Sequence, residues 1–226
     1  MQTLFTIFLI VHIIGGMLAL ITGLIAMLTH KGGKAHRLNG KIYFGGMTAV
    51  FLTSIYMSIA HNNPFLLMVG FFSYYMVVRG YRILYLKKLG QGLIVPRLDW
   101  IIAAIGMFAG AALVIYGVRA GLMLHQTYGF VAIPFGILSM SFAWSDIKLF
   151  TRGPKDKMHW WYGHIGSMGG GYIATFTAFC VVNVTFLPGL VVWLLPPFVG
   201  AMLITYTIAK YKRQFSKTAV ATVKNV

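Results

Sequence analysis

An apolar run near the start of the chain decides the fold. Residues 4–28 read LFTIFLIVHIIGGMLALITGLIAML and contain no Lys, Arg, Asp or Glu. About 20 consecutive apolar residues are enough for an α-helix to cross the hydrocarbon core of a bilayer. Comparable runs follow at 41–60, 65–86, 98–118, 125–147, 160–184 and 187–209. The pattern predicts an all-α, polytopic membrane helix bundle with seven transmembrane helices.

The composition leaves no stretch for a soluble domain. Hydrophobic residues make up 58% of the 226 residues, and the mean hydropathy is +0.78. Both values exceed those of ordinary soluble domains. We therefore assign residues 1–209 to a single transmembrane domain, and we expect the basic and polar residues 210–226 to form a disordered cytoplasmic tail.

The basic residues predict the orientation of the chain. All but one of the 19 Lys and Arg residues lie in or near alternate connections, and only Arg119 lies on the other side. Because basic residues stay preferentially in the cytoplasm during insertion, the N-terminus is predicted outside and the C-terminus inside. Short connections suit a multi-pass protein of the bacterial inner membrane.

The net charge of +16 bears on the partners of the protein. Basic residues beside membrane spans contact anionic lipid head groups, which we expect here at the inner face. No nucleic-acid-binding motif accompanies these residues, so the charge does not indicate a nucleic-acid partner.

Ionisable side chains inside a membrane span are costly, so each of them is a candidate functional residue. The candidates are His12 in the first run, His36 at the start of the second, Arg79 and Arg82 in the third, and His164 in the sixth. Four of the five are expected to converge at the inner boundary of the membrane. His12 lies roughly 15 Å from His164 along the bilayer normal, so the two cannot bind one metal ion.

The predicted inner cluster has the residue types that bind haem b. Imidazoles serve as axial ligands of haem iron, and arginines suit the propionates. We therefore predict haem-linked transmembrane electron transfer, with His36 and His164 as the ligands of an inner haem and Arg79 and Arg82 as propionate partners. His12 would belong to a second, outer site. The redox partner is not identified.

An intramembrane zinc-dependent hydrolase is an alternative. Catalytic zinc needs about three His or carboxylate ligands and one open position. His36, His164 and Asp146 are the residues that would supply them, although the chain has no HExxH motif. The sequence does not decide whether the protein is an enzyme.

A transporter or sensor of a small molecule is the other alternative. Transporters often have broken helices, and Pro134 in the fifth run and Pro196 in the seventh are residues of the type that breaks a helix.

In a purely structural interpretation of the charged residues, Arg79 or Arg82 forms a salt bridge with Asp99.

Small residues recur at a spacing of four in two runs. They are Gly15, Ala19 and Gly23 in the first run and Gly166, Gly170, Ala174 and Ala178 in the sixth. Such stripes predict faces on which helices pack closely in lipid.

Three segments carry a resemblance to a known family. They are residues 36–43 (HRLNGKIY), 160–168 (WWYGHIGSM) and 172–179 (YIATFTAF). They resemble a family of predicted bacterial multi-span membrane proteins with no known activity. The resemblance implies a polytopic bacterial membrane protein and marks His12, His36 and His164 as motif positions.

Overall fold

The computed structural model describes residues 2–224, and the side chains of residues 2–216. Within these residues the chain forms α-helices and no strands, so the predicted all-α bundle is confirmed. The helices are α1 (Gln2–Leu28), α2 (Lys34–Ala60), α3 (Pro64–Arg82), α4 (Arg97–Gly117), α5 (Thr127–Arg152), α6 (His159–Asn183) and α7 (Gly189–Lys224). A 3-10 turn (Ile83–Tyr85) follows α3, and a π-helical segment (Val118–Met123) follows α4.

Six of the seven described helices are long and apolar enough to cross a membrane, and α3 is the exception. The sequence predicted a span here as well. Helix α3 has only 19 residues and carries Arg79 and Arg82 in its last turn. Because a charge in the hydrocarbon core is costly unless it is paired, α3 depends on partners elsewhere in the bundle.

Several helices extend beyond the predicted spans. Helix α2 begins at Lys34, α5 ends at Arg152, and α7 continues to Lys224. The sequence predicted a disordered tail over residues 210–226. Helix α7 instead includes residues 210–224, and residues 225 and 226 lie outside the described residues. Apolar runs mark the hydrocarbon layer, whereas a helix can continue into the head-group region because its backbone hydrogen bonds are internal.

Short connections make successive helices antiparallel and give the bundle two distinct ends. Connections 29–33, 83–96 and 153–158 and the end of α7 lie at one end. We call it the basic end, because nearly all Lys and Arg residues are there. The opposite end is the far end.

Glycine contacts bring two helix pairs close together. A Cβ atom added to Gly46 in α2 would lie 2.7 Å from the carbonyl oxygen of Gly15 in α1. A Cβ atom added to Gly136 in α5 would lie 2.6 Å from the carbonyl oxygen of Gly110 in α4. Both pairs therefore require glycine, as is common where membrane helices approach closely.

The two predicted small-residue stripes have different outcomes. In α1, Gly15, Ala19 and Gly23 are buried, as predicted. In α6, the buried line is Ser167, Gly171 and Thr175, which is one residue along from the predicted stripe. The spacing was correct, but the face was not, because a helix that is apolar on all sides gives no sign of which face packs inward.

Candidate functional site

A buried ionic network joins α3, α5 and α6. The single Nε–H of Arg79 is shared between the two carboxylate oxygens of Asp146, at 2.7 and 2.8 Å, and a terminal guanidinium nitrogen forms a salt bridge with the same carboxylate at 2.7 Å. Tyr75 donates to the same carboxylate at 2.9 Å, and Arg79 also donates to the Ser167 hydroxyl. The side chains of Arg79 and Asp146 are only 10% and 5% exposed, so the charges neutralise each other out of contact with solvent.

A second ion pair lies one turn closer to the basic end. Arg82 donates to both carboxylate oxygens of Asp99, at 2.9 and 2.8 Å, which is the bidentate geometry of strong Arg–carboxylate pairs. This confirms the structural interpretation of Arg82. Between the two pairs is a cavity of about 10 Å³, which is about the size of one water molecule.

His36 and His164 come together at the basic end, as the sequence predicted. Their ring centroids are 6.1 Å apart. His36 Nδ1 lies 2.8 Å from the carbonyl oxygen of Ala26 in α1, and His164 Nδ1 lies 2.8 Å from that of Gly80 in α3. Because a carbonyl oxygen only accepts hydrogen bonds, each Nδ1 carries a proton, which leaves both Nε2 atoms available for another partner.

The surroundings of this histidine pair are positively charged. Lys31 and Lys87 both lie close enough to His164 to interact with it electrostatically. The Lys31 ammonium donates to the carbonyl oxygens of Ala26, at 3.3 Å, and Met27. The Lys87 ammonium lies 4.2 Å from the centre of the Trp160 ring.

No salt bridge within the described residues joins an acidic side chain to Lys31 or Lys87. The sequence has three acidic residues, all of them described. Asp99 and Asp146 are held by arginines, and the Asp156 carboxylate accepts a hydrogen bond from the backbone of Met158 at 2.7 Å. We call His36, His164, Lys31 and Lys87 together the basic site.

An unpaired donor lies beside the basic site. Trp161 precedes His164 by about one helical turn, and its indole N–H is buried with no hydrogen-bond partner among the described residues. The buried hydroxyl group of Tyr43, on α2 two turns after His36, lies near the Thr175 hydroxyl but makes no hydrogen bond of good geometry within the described residues. Neither atom was predicted from the sequence, because only the packing shows which polar groups are buried.

His12 lies apart from the basic site and has a partner in the protein. Its Nδ1 lies 2.9 Å from the hydroxyl oxygen of Thr53 in α2. The Thr53 hydroxyl donates to the carbonyl of Ala49 at 2.7 Å, so it accepts from His12. His12, the predicted ligand of an outer haem, therefore already links α1 and α2 through a hydrogen bond.

The residues present do not make a convincing zinc or haem site. No group of three His, Cys, Asp or Glu residues suitable for a metal ion occurs in the described part of the chain. Asp146, the third zinc ligand considered from the sequence, is bound to Arg79. Arg79 and Arg82, the predicted propionate partners, are both occupied by carboxylates of this chain. Two neighbouring lysines also repel a metal cation.

The fold and the site define an integral membrane protein with a bundle of antiparallel helices and, at one end, a histidine pair with two lysines nearby. No protein-family model matches the chain, and neither the curated proteins nor the solved structures include a similar protein.

Proposed function

We propose that this integral membrane protein binds an anionic molecule of the membrane at the basic site and serves its transport or sensing. The ligand's acidic head group lies between His36 and His164, within reach of Lys31 and Lys87. This is the small-molecule transporter or sensor considered from the sequence, with the charge of the ligand now specified.

The observation that carries the proposal is the unbalanced charge of the basic site. Two lysines lie near the two imidazoles, and neither lysine forms a salt bridge with an acidic side chain within the described residues. A bound anion favours the imidazolium form of each ring, in which Nε2 carries a proton and donates a hydrogen bond to the anion. Like charges in a region of low dielectric constant repel one another unless a counter-ion is present. An anion removes this repulsion, and phosphate is the acidic group that membranes supply most abundantly.

Haem-linked electron transfer is a weaker proposal for the same residues. The two imidazoles have the number and type needed for axial ligands, but the arginines expected to bind the propionates are neutralised already. Breaking either ion pair would leave a buried carboxylate uncompensated, which is strongly unfavourable.

We further propose that the basic end faces the cytoplasm of a bacterial cell. The concentration of Lys and Arg at that end supports this through the positive-inside rule. Anionic lipid in the inner leaflet would then reach the basic site directly.

Head-group selectivity tests the proposal. Short-chain phosphatidylglycerol and phosphatidylcholine, with identical acyl chains, are titrated into the detergent-solubilised protein and followed by native mass spectrometry. We expect tighter binding of the anionic lipid, by about fivefold for each basic side chain that contacts it.

Two double variants complete the experiment. His36→Ala/His164→Ala is expected to reduce the preference for phosphatidylglycerol by at least about fivefold, while Lys31 and Lys87 keep the remainder. His61→Ala/His125→Ala removes two histidines at the far end and is expected to keep the full preference. Equal binding of the two lipids by the unmodified protein, or an unchanged preference in the first variant, would overturn the proposal.

A further inference from the structure

An apolar groove runs along the lipid-facing side of α6 and α7. Its volume is about 470 Å³, and its lining is almost wholly apolar. Its lining includes Tyr172 and Phe176 of α6 and Val199 and Leu203 of α7. A volume of several hundred cubic ångströms is typical of small-molecule sites.

The groove is elongated in the direction of the helices. Its lining on α7 extends from Val192 to Ile204, which corresponds to about 18 Å along the helix. This length is more than half the thickness of a typical hydrocarbon core. The shape therefore matches an extended hydrocarbon chain that lies parallel to the helices.

One end of the groove meets the basic site. Met27 lines the groove, and its carbonyl oxygen accepts a hydrogen bond from the Lys31 ammonium. The preceding carbonyl, that of Ala26, is bonded to His36. Met27, at the end of α1, thus lines the apolar groove and also contacts Lys31 of the basic site.

We propose that the groove holds an acyl chain of an anionic phospholipid whose phosphate occupies the basic site. This inference rests on the proposed function and specifies the ligand as a lipid. The hydrocarbon chain gains little free energy by moving from the bilayer into an equally apolar groove. The groove therefore selects its occupant by shape, and the basic site selects the head group by charge. The occupant is therefore an inner-leaflet phospholipid with net negative charge.

Photo-crosslinking tests the occupant directly. Phosphatidylglycerol with a diazirine in one acyl chain is incorporated with the full-length protein into lipid nanodiscs, irradiated, and the attachment sites are mapped by mass spectrometry. We expect attachment to concentrate on Phe176, Val199 and neighbouring groove residues. A phosphatidylcholine probe with the same chain is expected to label them about fivefold less.

Two tryptophan variants provide a matched comparison on α7. Leu203→Trp fills the groove, whereas Met202→Trp adds the same bulk at a similarly exposed position that does not line it. Leu203→Trp is expected to abolish attachment in the groove, and Met202→Trp is expected to leave it unchanged. Both positions face lipid, so neither variant disturbs the packed interior.

Three results would overturn the inference. They are attachment spread evenly over lipid-facing residues such as Phe108, equal labelling of the groove by both probes, and a groove closed by a second copy of the protein in place of lipid. Loss of attachment in the groove together with retained head-group selectivity for short-chain lipid would reject the inference while the proposed function stands. Loss of both would reject the proposed function as well.

Discussion

Arg79 and Asp146 form a buried ion pair with a 2.7 Å contact, and this pair allows α3 to remain inside an apolar bundle. Tyr75 and Ser167 complete the hydrogen bonding of the two charged groups. A buried pair is costly to assemble, but removal of one partner is worse, because the other charge remains without compensation.

Asp146→Ala is therefore expected to destabilise the protein by about 3–5 kcal/mol, because it leaves the Arg79 guanidinium unpaired. Thermal unfolding in detergent measures the change. The double variant Arg79→Met/Asp146→Leu is expected to recover most of the loss. Asp156→Asn, at an exposed position, removes a carboxylate but keeps the oxygen that accepts from the Met158 backbone; it is the control and is expected to change stability by no more than about 0.5 kcal/mol. Equal effects of Asp146→Ala and Asp156→Asn would contradict the role of the pair.

The contact between α1 and α2 gives a prediction with a neighbouring control. Gly46→Ala places a Cβ atom 2.7 Å from the Gly15 carbonyl oxygen, so we expect the two helices to move apart and the melting temperature to fall. Gly45→Ala meets nothing within 4 Å and is expected to stabilise α2 by up to about 1 kcal/mol through helix propensity. The same assay measures both variants, and equal shifts would show that the close approach is absent.

His12 is expected to behave as a structural residue. His12→Ala and Thr53→Val each remove the same hydrogen bond between α1 and α2. In a double-mutant cycle their effects on stability should be coupled by about 0.6 kcal/mol, the average for such bonds in a membrane protein. Head-group selectivity should not change. A loss of selectivity in His12→Ala would assign this residue to the binding site.

Lys31 is expected to make binding depend on pH. Burial lowers the pKa of the Lys31 ammonium below its ordinary value. Only the charged form attracts an anion, so binding is complete below this lowered pKa and weakens as the pH rises through it. Lys31→Arg stays charged, so it should retain phosphatidylglycerol binding to higher pH. Titration of both proteins over a pH series tests this, and coincident profiles would contradict it.

The sequence was sufficient to predict the helices and the end of the bundle at which the charged residues meet. Apolar runs report the hydrocarbon layer, and alternating charge reports the sides of the membrane. Both signals come from the bilayer and not from packing, so they are readable without a structure. The approach of His36 to His164 followed from their similar height in the membrane.

The packing itself was not predictable, because lipid-facing and buried surfaces of a membrane helix are both apolar. The rotation of each helix is then undetermined. This is why the buried face of α6 was assigned one residue away from Ser167 and Gly171. The partner of Arg79 was missed for the same reason. The groove depends on the separation of α6 and α7 and leaves no sequence pattern.

The identity of the molecule that copurifies with the protein tests the central claim most directly. The protein is released from its native membrane in mild detergent, and its native mass spectrum and visible absorption spectrum are recorded on one sample. The account predicts an adduct with the mass of an anionic phospholipid that His36→Ala/His164→Ala no longer retains. An adduct with the mass of haem b, together with a sharp absorption band on reduction, would contradict it.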